Sequence, residues 1–181
     1  EIAQNQSKES NKAETISFRG KSFDTYTMGL EENQLDIFWT NDDGQALRNI
    51  GGLKKWLAGQ NKELVFAMNA GMYTSGNSPK GLYVEGGKEL KELDLGEGQG
   101  FENFYLKPNG VFFVSDSGAR IMESSAYSAL GPQPHLATQS GPMLLIDGKI
   151  HPRFRQGSSN LNIRNGVGVL ENGKLVFVIS K

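Results

Sequence analysis

The sequence predicts an α+β fold: a β-rich sheet, mixed or antiparallel, with many hairpins and one main helix packed on it. Glycine accounts for 23 of the 181 residues and shows no collagen-like period, which is typical of tight turns between short strands. Asn-Gly and Asp-Gly pairs, the strongest short hairpin signals, recur along the chain. Only one long segment has helical periodicity, so the pattern favours hairpins over a repeated βαβ array.

The main helix is predicted over residues 45–58. Its apolar side chains recur at helical spacing, namely Leu47, Ile50, Leu53, Trp56 and Leu57. The acidic pair in residues 42–44 suits a helix N-terminus, and Gly59 suits its end. The two glycines at 51 and 52 weaken the helical pattern in its middle. A shorter helix is predicted at residues 124–130.

The remaining chain has the pattern of short strands joined by turns. Strands are predicted at residues 23–28, 34–40, 63–68, 81–85, 104–107, 111–115, 119–122, 143–146 and 175–179. Turns are predicted at residues 85–88, 108–110, 116–118, 147–148 and 171–173.

The composition indicates one globular domain, with 37% hydrophobic and 22% charged residues. Residues 1–14 are polar and aperiodic, and they predict a disordered N-terminal tether before a domain over residues 15–181. They contain no charged segment followed by an apolar one, as a signal peptide would. We interpret them as a tether left after removal of a signal peptide, which indicates a periplasmic or secreted protein, or as an ordinary frayed terminus.

Charge and cysteine content exclude several function classes. The 19 basic and 20 acidic residues give a net charge of −1, so neither nucleic acid nor an anionic membrane is expected as a partner. No apolar run is long enough to span a bilayer. The absence of cysteine excludes a thiolate metal site and a cysteine nucleophile. His135 and His151 adjoin prolines and lack metal-ligand spacing, so both are predicted at the surface or in turns.

The first candidate segment for binding is residues 68–73, Met-Asn-Ala-Gly-Met-Tyr, which follows an apolar run. Small residues there allow backbone amides to approach a ligand, and Asn69 supplies both a donor and an acceptor. The alternative is a wide turn with Asn69 in the left-handed conformation. The physics of the sequence slightly favours that alternative.

The second candidate segment, residues 137–142, is predicted to be a loop containing Gln139, Ser140 and Gly141. A nucleophile elbow would need glycine two residues before the serine, where Thr138 stands. We therefore expect binding by Gln139 and by the amides of Ser140 and Gly141.

The third candidate segment, residues 162–168, contains Arg164 and Asn165 before a stretch of small residues. We expect the guanidinium to lie at a sheet end, shielded from solvent, where its planar set of donors suits a phosphate or carboxylate. The alternative is a structural ion pair, and the sequence favours neither.

At these segments the chain resembles the phosphodiester glycosidase family. The resemblance is carried by residues 68–73, 78–82, 104–111, 138–143, 148–152 and 163–168, and it covers roughly residue 17 to the C-terminus. Each motif is weak alone, but the ordered set is specific. The resemblance implies export and hydrolysis of a sugar 1-phosphodiester, so the expected partner is a small-molecule or glycan phosphodiester.

The resemblance also implies site residues. Asn69, Gln139 and Arg164 would be catalytic, with Arg164 clamping the phosphate and Asn69 orienting sugar or water. Substrate would be bound by Gly71, Tyr73, Ser140, Gly141 and Asn165. No cofactor is predicted, a divalent cation is left open, and the oligomeric state is undetermined.

One departure from the family pattern supports a second interpretation. The chain ends just after the strand predicted at residues 175–179, whereas family members continue with a helix and a strand bearing an acidic Asp-Gly segment. We expect that segment to carry the catalytic carboxylate, because Glu85, Asp94, Glu102 and Asp147 all adjoin turns and are interpreted first as solvated. The alternative function is a non-catalytic exported domain that binds a phosphorylated or anionic glycan.

Overall fold

The computed structural model describes residues 11–31, 33–98, 102–159 and 162–181, and these form two compact units. The first unit contains the described residues of 1–34 and 163–181, and the second contains those of 35–162. Antiparallel sheets dominate both, and the described helices are short. The predicted β-rich α+β class is therefore confirmed.

The described residues contain two α-helices and a set of short strands. The helices are α1 (Ile50–Gly59) and α2 (Ser124–Leu130). The strands are β1 (Lys12–Phe18), β2 (Lys21–Met28), β3 (Tyr83–Glu85), β4 (Lys88–Lys91), β5 (Gly110–Ser115), β6 (Gly118–Glu123), β7 (Leu136–Ser140), β8 (Leu145–Ile146), β9 (Lys149–Ile150), β10 (Asn165–Val169) and β11 (Leu175–Ser180). Neither described helix is long and apolar enough to cross a membrane.

The first unit is a four-stranded antiparallel sheet in the order β1-β2-β11-β10. Its buried apolar residues lie on the two central strands, namely Tyr26, Met28, Leu175 and Phe177. Strand β1 begins at Lys12 and therefore includes the last three residues of the predicted tether. Residues 1–10, which make up most of the predicted tether, lie outside the described residues.

The second unit contains a five-stranded antiparallel sheet in the order β4-β3-β7-β5-β6 and the small hairpin β8-β9. Helix α2 packs on β5 and β6, with the rings of Phe113 and Tyr127 edge to face at 5.2 Å. We predicted that the main helix would pack on the sheet, but the helix that does so is α2. The core cluster consists of Leu82, Val84, Val111, Phe113, Tyr127 and Ala137.

Four of the five predicted hairpin turns are confirmed, whereas residues 108–110 join no hairpin because the strand predicted before them is a 3-10 turn. Gly86 and Gly87 both have positive φ between β3 and β4, as do Asp147 and Gly148 between β8 and β9. Two consecutive positive φ angles give the backbone twist that suits a two-residue hairpin. Gly173 likewise has a φ of 80° between β10 and β11.

Helix α1 begins five residues later than predicted, because residues 41–47 make a different structure. The Asn41 side chain accepts hydrogen bonds from the amides of Asp43 and Gln45 at 3.1 and 2.8 Å, which closes a turn. The N-cap is instead Asn49, whose side chain accepts from the Gly52 amide at 2.8 Å. A Cβ on Gly52 would lie 2.6 Å from the Leu47 carbonyl oxygen, so glycine is needed in this first turn.

Three predicted strands were wrong in whole. Residues 34–40 and 63–68 form no strand, and their one bridge joins Thr40 and Ala46. Residues 103–105 form a 3-10 turn in place of the strand predicted at 104–107, and the Leu106 amide donates to the Asn103 carbonyl. An apolar pattern does not supply the partner strand that a ladder requires.

The predicted loop at residues 137–142 is largely strand β7, which was missed. It lies between β3 and β5 in the sheet, and four of its five residues are buried. Polar residues such as Thr138 and Gln139 obscured the strand pattern, because burying them requires hydrogen-bond partners that lie far away in sequence. Strand β10 was also missed, because its small residues do not have the pattern expected of a strand.

Helix α2 was predicted at its observed residues, and Glu123 caps it. The Glu123 carboxylate accepts from the amides of Ser125 and Ala126 at 3.0 and 3.1 Å. Partial burial alone would raise the pKa of this carboxyl, but these bonds and the Ser125 hydroxyl outweigh burial and lower it below the usual value.

We expect Glu123→Ala to lower the free energy of unfolding by about 1 kcal/mol at neutral pH, as is typical for loss of an N-cap. Because the folded-state pKa is depressed, this contribution is present above the ordinary pKa of glutamate and is lost as pH falls through the folded value. Urea unfolding of both proteins at neutral pH and in acid measures it. A gap between the two that persists in strong acid would contradict the proposed role of the carboxylate.

Candidate active site

Two of the motif segments form one folded loop in the second unit. The Lys80 amide donates to the Met72 carbonyl at 2.9 Å, and the Thr74 amide donates to the Ser78 carbonyl at 2.9 Å. Tyr73 and Pro79 form a β-bridge. Residues 68–73 and 78–82 are therefore antiparallel neighbours, and the polar turn between them closes their far end.

Asn69 and Tyr73 lie on the surface of this loop, and both are exposed. The alternative of a wide turn with Asn69 in the left-handed conformation is wrong, because Asn69 is not among the residues with positive φ. Asn77, in the turn that follows, is the residue with that conformation, at φ 60°. Asn69 therefore has an ordinary backbone and presents its carboxamide from an exposed position.

Gly71 brings the first predicted segment against the second. A Cβ on Gly71 would lie 3.0 Å from the Gln139 carbonyl oxygen and 3.0 Å from Cβ of Thr138. Such contacts are tighter than side chains normally make, so glycine allows the loop to lie directly on β7. The structure thus brings Gly71 against the backbone of Gln139.

Gln139 lies in the interior, with no accessible surface. Its Oε1 accepts from the amides of Leu82 and Asp94, both at 3.0 Å. Its Nε2 donates to the Asp94 carbonyl at 2.7 Å and to the Ser124 hydroxyl at 3.2 Å. A carboxamide has two donors and two acceptor lone pairs, so every position is used within the chain. This geometry gives Gln139 a structural role, holding residue 94 and strand β3 in place.

Ser140 and Gly141 follow at the end of β7. Ser140 is paired with Gly110 across the sheet. A Cβ on Gly141 would overlap the Phe104 carbonyl and lie 3.0 Å from the Asn103 carbonyl oxygen. Residues 140–141 therefore lie against the 3-10 turn, which belongs in part to a further motif segment. Within the described chain the Ser140 hydroxyl has no histidine or aspartate partner, which a serine nucleophile would require.

Beside these segments is a cluster of polar side chains that the sequence did not predict to lie together. The Lys80 ammonium forms an ion pair with Glu102 and lies over the rings of Phe104 and Tyr105, 5.4 and 4.9 Å from their centroids. The Tyr105 hydroxyl donates to Asp94 Oδ2 at 3.1 Å. We call Lys80, Asp94, Glu102 and Tyr105 the Lys80 cluster.

The three charged residues of the cluster, Lys80, Asp94 and Glu102, all affect the pKa of the Tyr105 hydroxyl. Its hydrogen bond to Asp94 raises the pKa of the hydroxyl, and burial and the negative charges of Asp94 and Glu102 act in the same direction. Lys80 opposes them but does not reverse the effect. The phenol is therefore a hydrogen-bond donor at neutral pH.

The four acidic residues considered in the sequence have different environments. Asp94 accepts from the Gly96 amide at 2.8 Å as well as from Tyr105, so both its oxygens are engaged. Glu85 accepts from the Tyr83 hydroxyl at 2.9 Å and from the Trp39 amide at 3.3 Å. Glu102 is bonded through Oε2 alone, and its Oε1 has no partner among the described residues. Asp147 lies exposed in the β8-β9 turn.

Two buried polar residues, His151 and Asn109, form hydrogen bonds with backbone groups of the motif segments. His151 is 1% exposed, so the surface or turn position predicted for it was wrong. Its Nε2 is 3.1 Å from the Lys107 carbonyl oxygen, and its Nδ1 accepts from the Arg153 amide at 3.1 Å. Asn109 donates from Nδ2 to the Phe104 carbonyl at 3.1 Å. These bonds tie residues 148–152 to residues 104–111. His135 is exposed beside Asp116, as predicted.

Arg164 and Asn165 belong to the first unit. The Arg164 amide donates to the Ser180 hydroxyl at 2.8 Å, and Nη1 donates to the Ile163 carbonyl at 3.3 Å. Arg164 is exposed, so the expected shielding of its side chain from solvent is not found. Asn165 opens β10 and pairs with Ile179. The convergence of Arg164 with Asn69 stays a prediction.

Among the residues that the structure describes, no group of three or more histidine, aspartate or glutamate residues is placed to hold a metal ion.

The contacts within the second unit therefore join five segments that are scattered along the sequence: residues 68–73, 78–82, 104–111, 138–143 and 148–152. Residues 62–181 match a family model described as phosphodiester glycosidase. This match covers all five segments and the sixth, residues 163–168. The chain belongs to the phosphodiester glycosidase family.

The chain is also similar to the Escherichia coli (strain K12) protein named "Uncharacterized protein YigE". The two are 33% identical over 156 residues, which is 86% of this chain and 60% of the relative. The chain thus spans about 60% of the length of that curated relative. Phosphodiester glycosidases are hydrolases, and this chain shares their sequence pattern from residue 62 onward.

Proposed function

We propose that the chain is a hydrolase that cleaves a sugar 1-phosphodiester in the cell envelope or outside the cell. Water adds to the anomeric carbon as its bond to the phosphate oxygen breaks, which releases the free sugar and a phosphomonoester. A periplasmic or secreted location is part of the proposal and is supported by the family resemblance.

The observation that carries the proposal is the direct packing of the exposed Asn69 loop on the end of β7. Gly71 contacts Thr138 and Gln139, and Gly141 contacts the 3-10 turn. Backbone amides can approach a ligand closely where no side chain intervenes. Glycine at both contacts leaves the backbone at these two positions without side chains, and this supports a site built from main-chain groups.

The chemistry of the reaction suits these groups. Cleavage through an oxocarbenium-like transition state places charge on the departing phosphate, and preorganised donors stabilise such charge. In our proposal Arg164 contacts the phosphate, assisted by the amides near Gly71 and Gly141, and Asn69 orients the sugar or the water. Lys80 adds a second cation at the edge of the loop.

We assign the carboxylate that activates water to Glu102. The assignment follows from hydrogen bonding and exposure. Both oxygens of Asp94 accept structural donors, and Glu85 is partly buried with two donors on Oε2. Glu102 keeps Oε1 without a described partner and has a side chain that is 52% exposed. Phosphate leaves readily, so the reaction needs a base for water more than an acid for the leaving group.

We expect the chain to release sugar from a panel of glycosyl 1-phosphodiesters. Glu102→Gln is expected to lower kcat by about 10²-fold, the lower end of the range for general acid–base groups. The glutamine retains an oxygen acceptor for Lys80, so circular dichroism should show an intact fold. Sugar release is followed chromatographically.

Glu92→Gln is the matched control, because Glu92 is exposed and close in sequence, and it should keep wild-type turnover. Simple phosphomonoesters should not be cleaved. Wild-type turnover by Glu102→Gln would remove Glu102 from the reaction but would leave the substrate class standing.

The second candidate function is a non-catalytic exported domain that binds a phosphorylated or anionic glycan. It is favoured by the engagement of the Gln139 carboxamide within the fold, which removes one predicted catalytic group from the surface. Saturable binding of a glycosyl phosphodiester without any release of sugar would establish this function in place of hydrolysis.

A further inference from the structure

A groove outside the candidate active site lies between the turn at residues 40–46 and helix α1. Its volume is about 650 Å³, which is within the usual range for small-ligand sites. The groove contains no residue of the Lys80 cluster or of the motif segments, and the proposed hydrolysis does not use it.

The indole of Trp56 lines this groove in a fixed orientation. Its ring packs edge to face against Phe38, with 5.3 Å between centroids. Its Nε1 donates to Asp42 Oδ2 at 3.3 Å. Trp56 is only partly buried, and with Leu47 it gives the groove an apolar wall. An indole held from two sides binds a flat ligand at little cost in side-chain entropy.

The polar lining keeps several hydrogen-bonding groups available. Asp42 Oδ2 also accepts from Gln60 Nε2 at 3.1 Å. Among the described residues, no partner is found for Asp42 Oδ1, for Gln60 Oε1 or for the side chains of Gln45 and Lys55, all of which line the groove. The available set therefore contains both donors and acceptors beside an apolar surface.

The charges of the lining select between ligand classes. One carboxylate, Asp42, and one ammonium, Lys55, leave the groove without net charge. An anion would be repelled by the carboxylate of Asp42, and a cation would be repelled by the ammonium of Lys55. A pyranose ring, by contrast, offers an apolar face to an indole and a rim of hydroxyl groups that both donate and accept. We propose that this groove binds a neutral sugar ring of a glycan chain.

The test uses the full chain and neutral hexasaccharides as probes, namely maltohexaose, cellohexaose and chitohexaose, with binding measured by calorimetry. We expect at least one to bind at millimolar concentration or below. Trp56→Ala should weaken that binding by roughly tenfold or more, and Gln45→Ala should weaken it by a few-fold. Because the ligand is uncharged, affinity should change little with salt.

Gln45→Ala also guards against a folding defect, because Gln45 is exposed and its side chain makes no described hydrogen bond. Gln133→Ala, exposed and distant in sequence, is the control and should bind as the wild type does. The experiment is repeated with Glu102→Gln, so that loss of hydrolysis and loss of groove binding are distinguished.

Three results would overturn the proposal. They are no binding of any neutral hexasaccharide, binding unaffected by both Trp56→Ala and Gln45→Ala, and preferential binding of hexaglutamate or hexalysine peptides at this groove.

Discussion

Gln139→Ala is expected to lower the free energy of unfolding by about 3–5 kcal/mol, among the largest effects of a single substitution. The change removes the partner of the amides of Leu82 and Asp94, of the Asp94 carbonyl and of the Ser124 hydroxyl. These groups surround a side chain with no accessible surface, so water cannot replace the carboxamide without entering the core. Urea unfolding followed by circular dichroism measures the loss.

Two variants control for other causes. Gln133→Ala removes the same side chain at an exposed position and should change stability by no more than about 0.5 kcal/mol. Gln139→Glu keeps an acceptor for the two amides but turns a carboxylate oxygen toward the Asp94 carbonyl in a site with no accessible surface, so it should also be strongly destabilised. If the free energy of unfolding of Gln139→Ala is within about 1 kcal/mol of the wild-type value, the hydrogen-bond network contributes little to stability.

Arg164→Ala is expected to reduce kcat/KM for a glycosyl phosphodiester by about 10²–10³-fold, the typical loss on removing one donor to developing charge. The fold should persist, because the Arg164 amide and carbonyl, which bond Ser180, are unchanged by the substitution. Arg164→Lys keeps the charge but loses the planar set of donors, so it should recover part of the activity. Initial rates of sugar release measure all three proteins.

Arg120→Ala is the matched control, since Arg120 is exposed on β6 and has no predicted contact with substrate. It should retain wild-type kcat/KM. Full activity in Arg164→Ala would show that the guanidinium does not contact the phosphate.

The elements that were predicted correctly depend on local chemistry. Helix α2 and the turns after β3, β8 and β10 use caps, glycines and positive φ angles that neighbouring residues supply. The predicted start of helix α1 was wrong because the sequence offers two local capping residues, Asp42 and Asn49. The Asn41 side chain closes a turn with the amides of Asp43 and Gln45, so the helix begins after Asn49 instead.

The candidate site was predicted only in part. The sequence named Gly71 and Gln139 as site residues, but it did not indicate that Gly71 packs on the Gln139 backbone or that the Gln139 side chain points into the core. The Lys80 cluster was missed because its members are separated by up to 25 positions in the sequence, from Lys80 to Tyr105. Nothing in local spacing places a lysine over two aromatic rings.

By itself the sequence determined the β-rich class, the hairpins, helix α2 and the family pattern, because each depends on residues close together in the chain or on an ordered set of motifs. Only the tertiary structure decided that β7 is a central strand, that His151 and Gln139 are buried, and that Glu102 faces Lys80. Those features depend on hydrogen bonds and ion pairs between distant residues, which alone compensate the burial of polar groups.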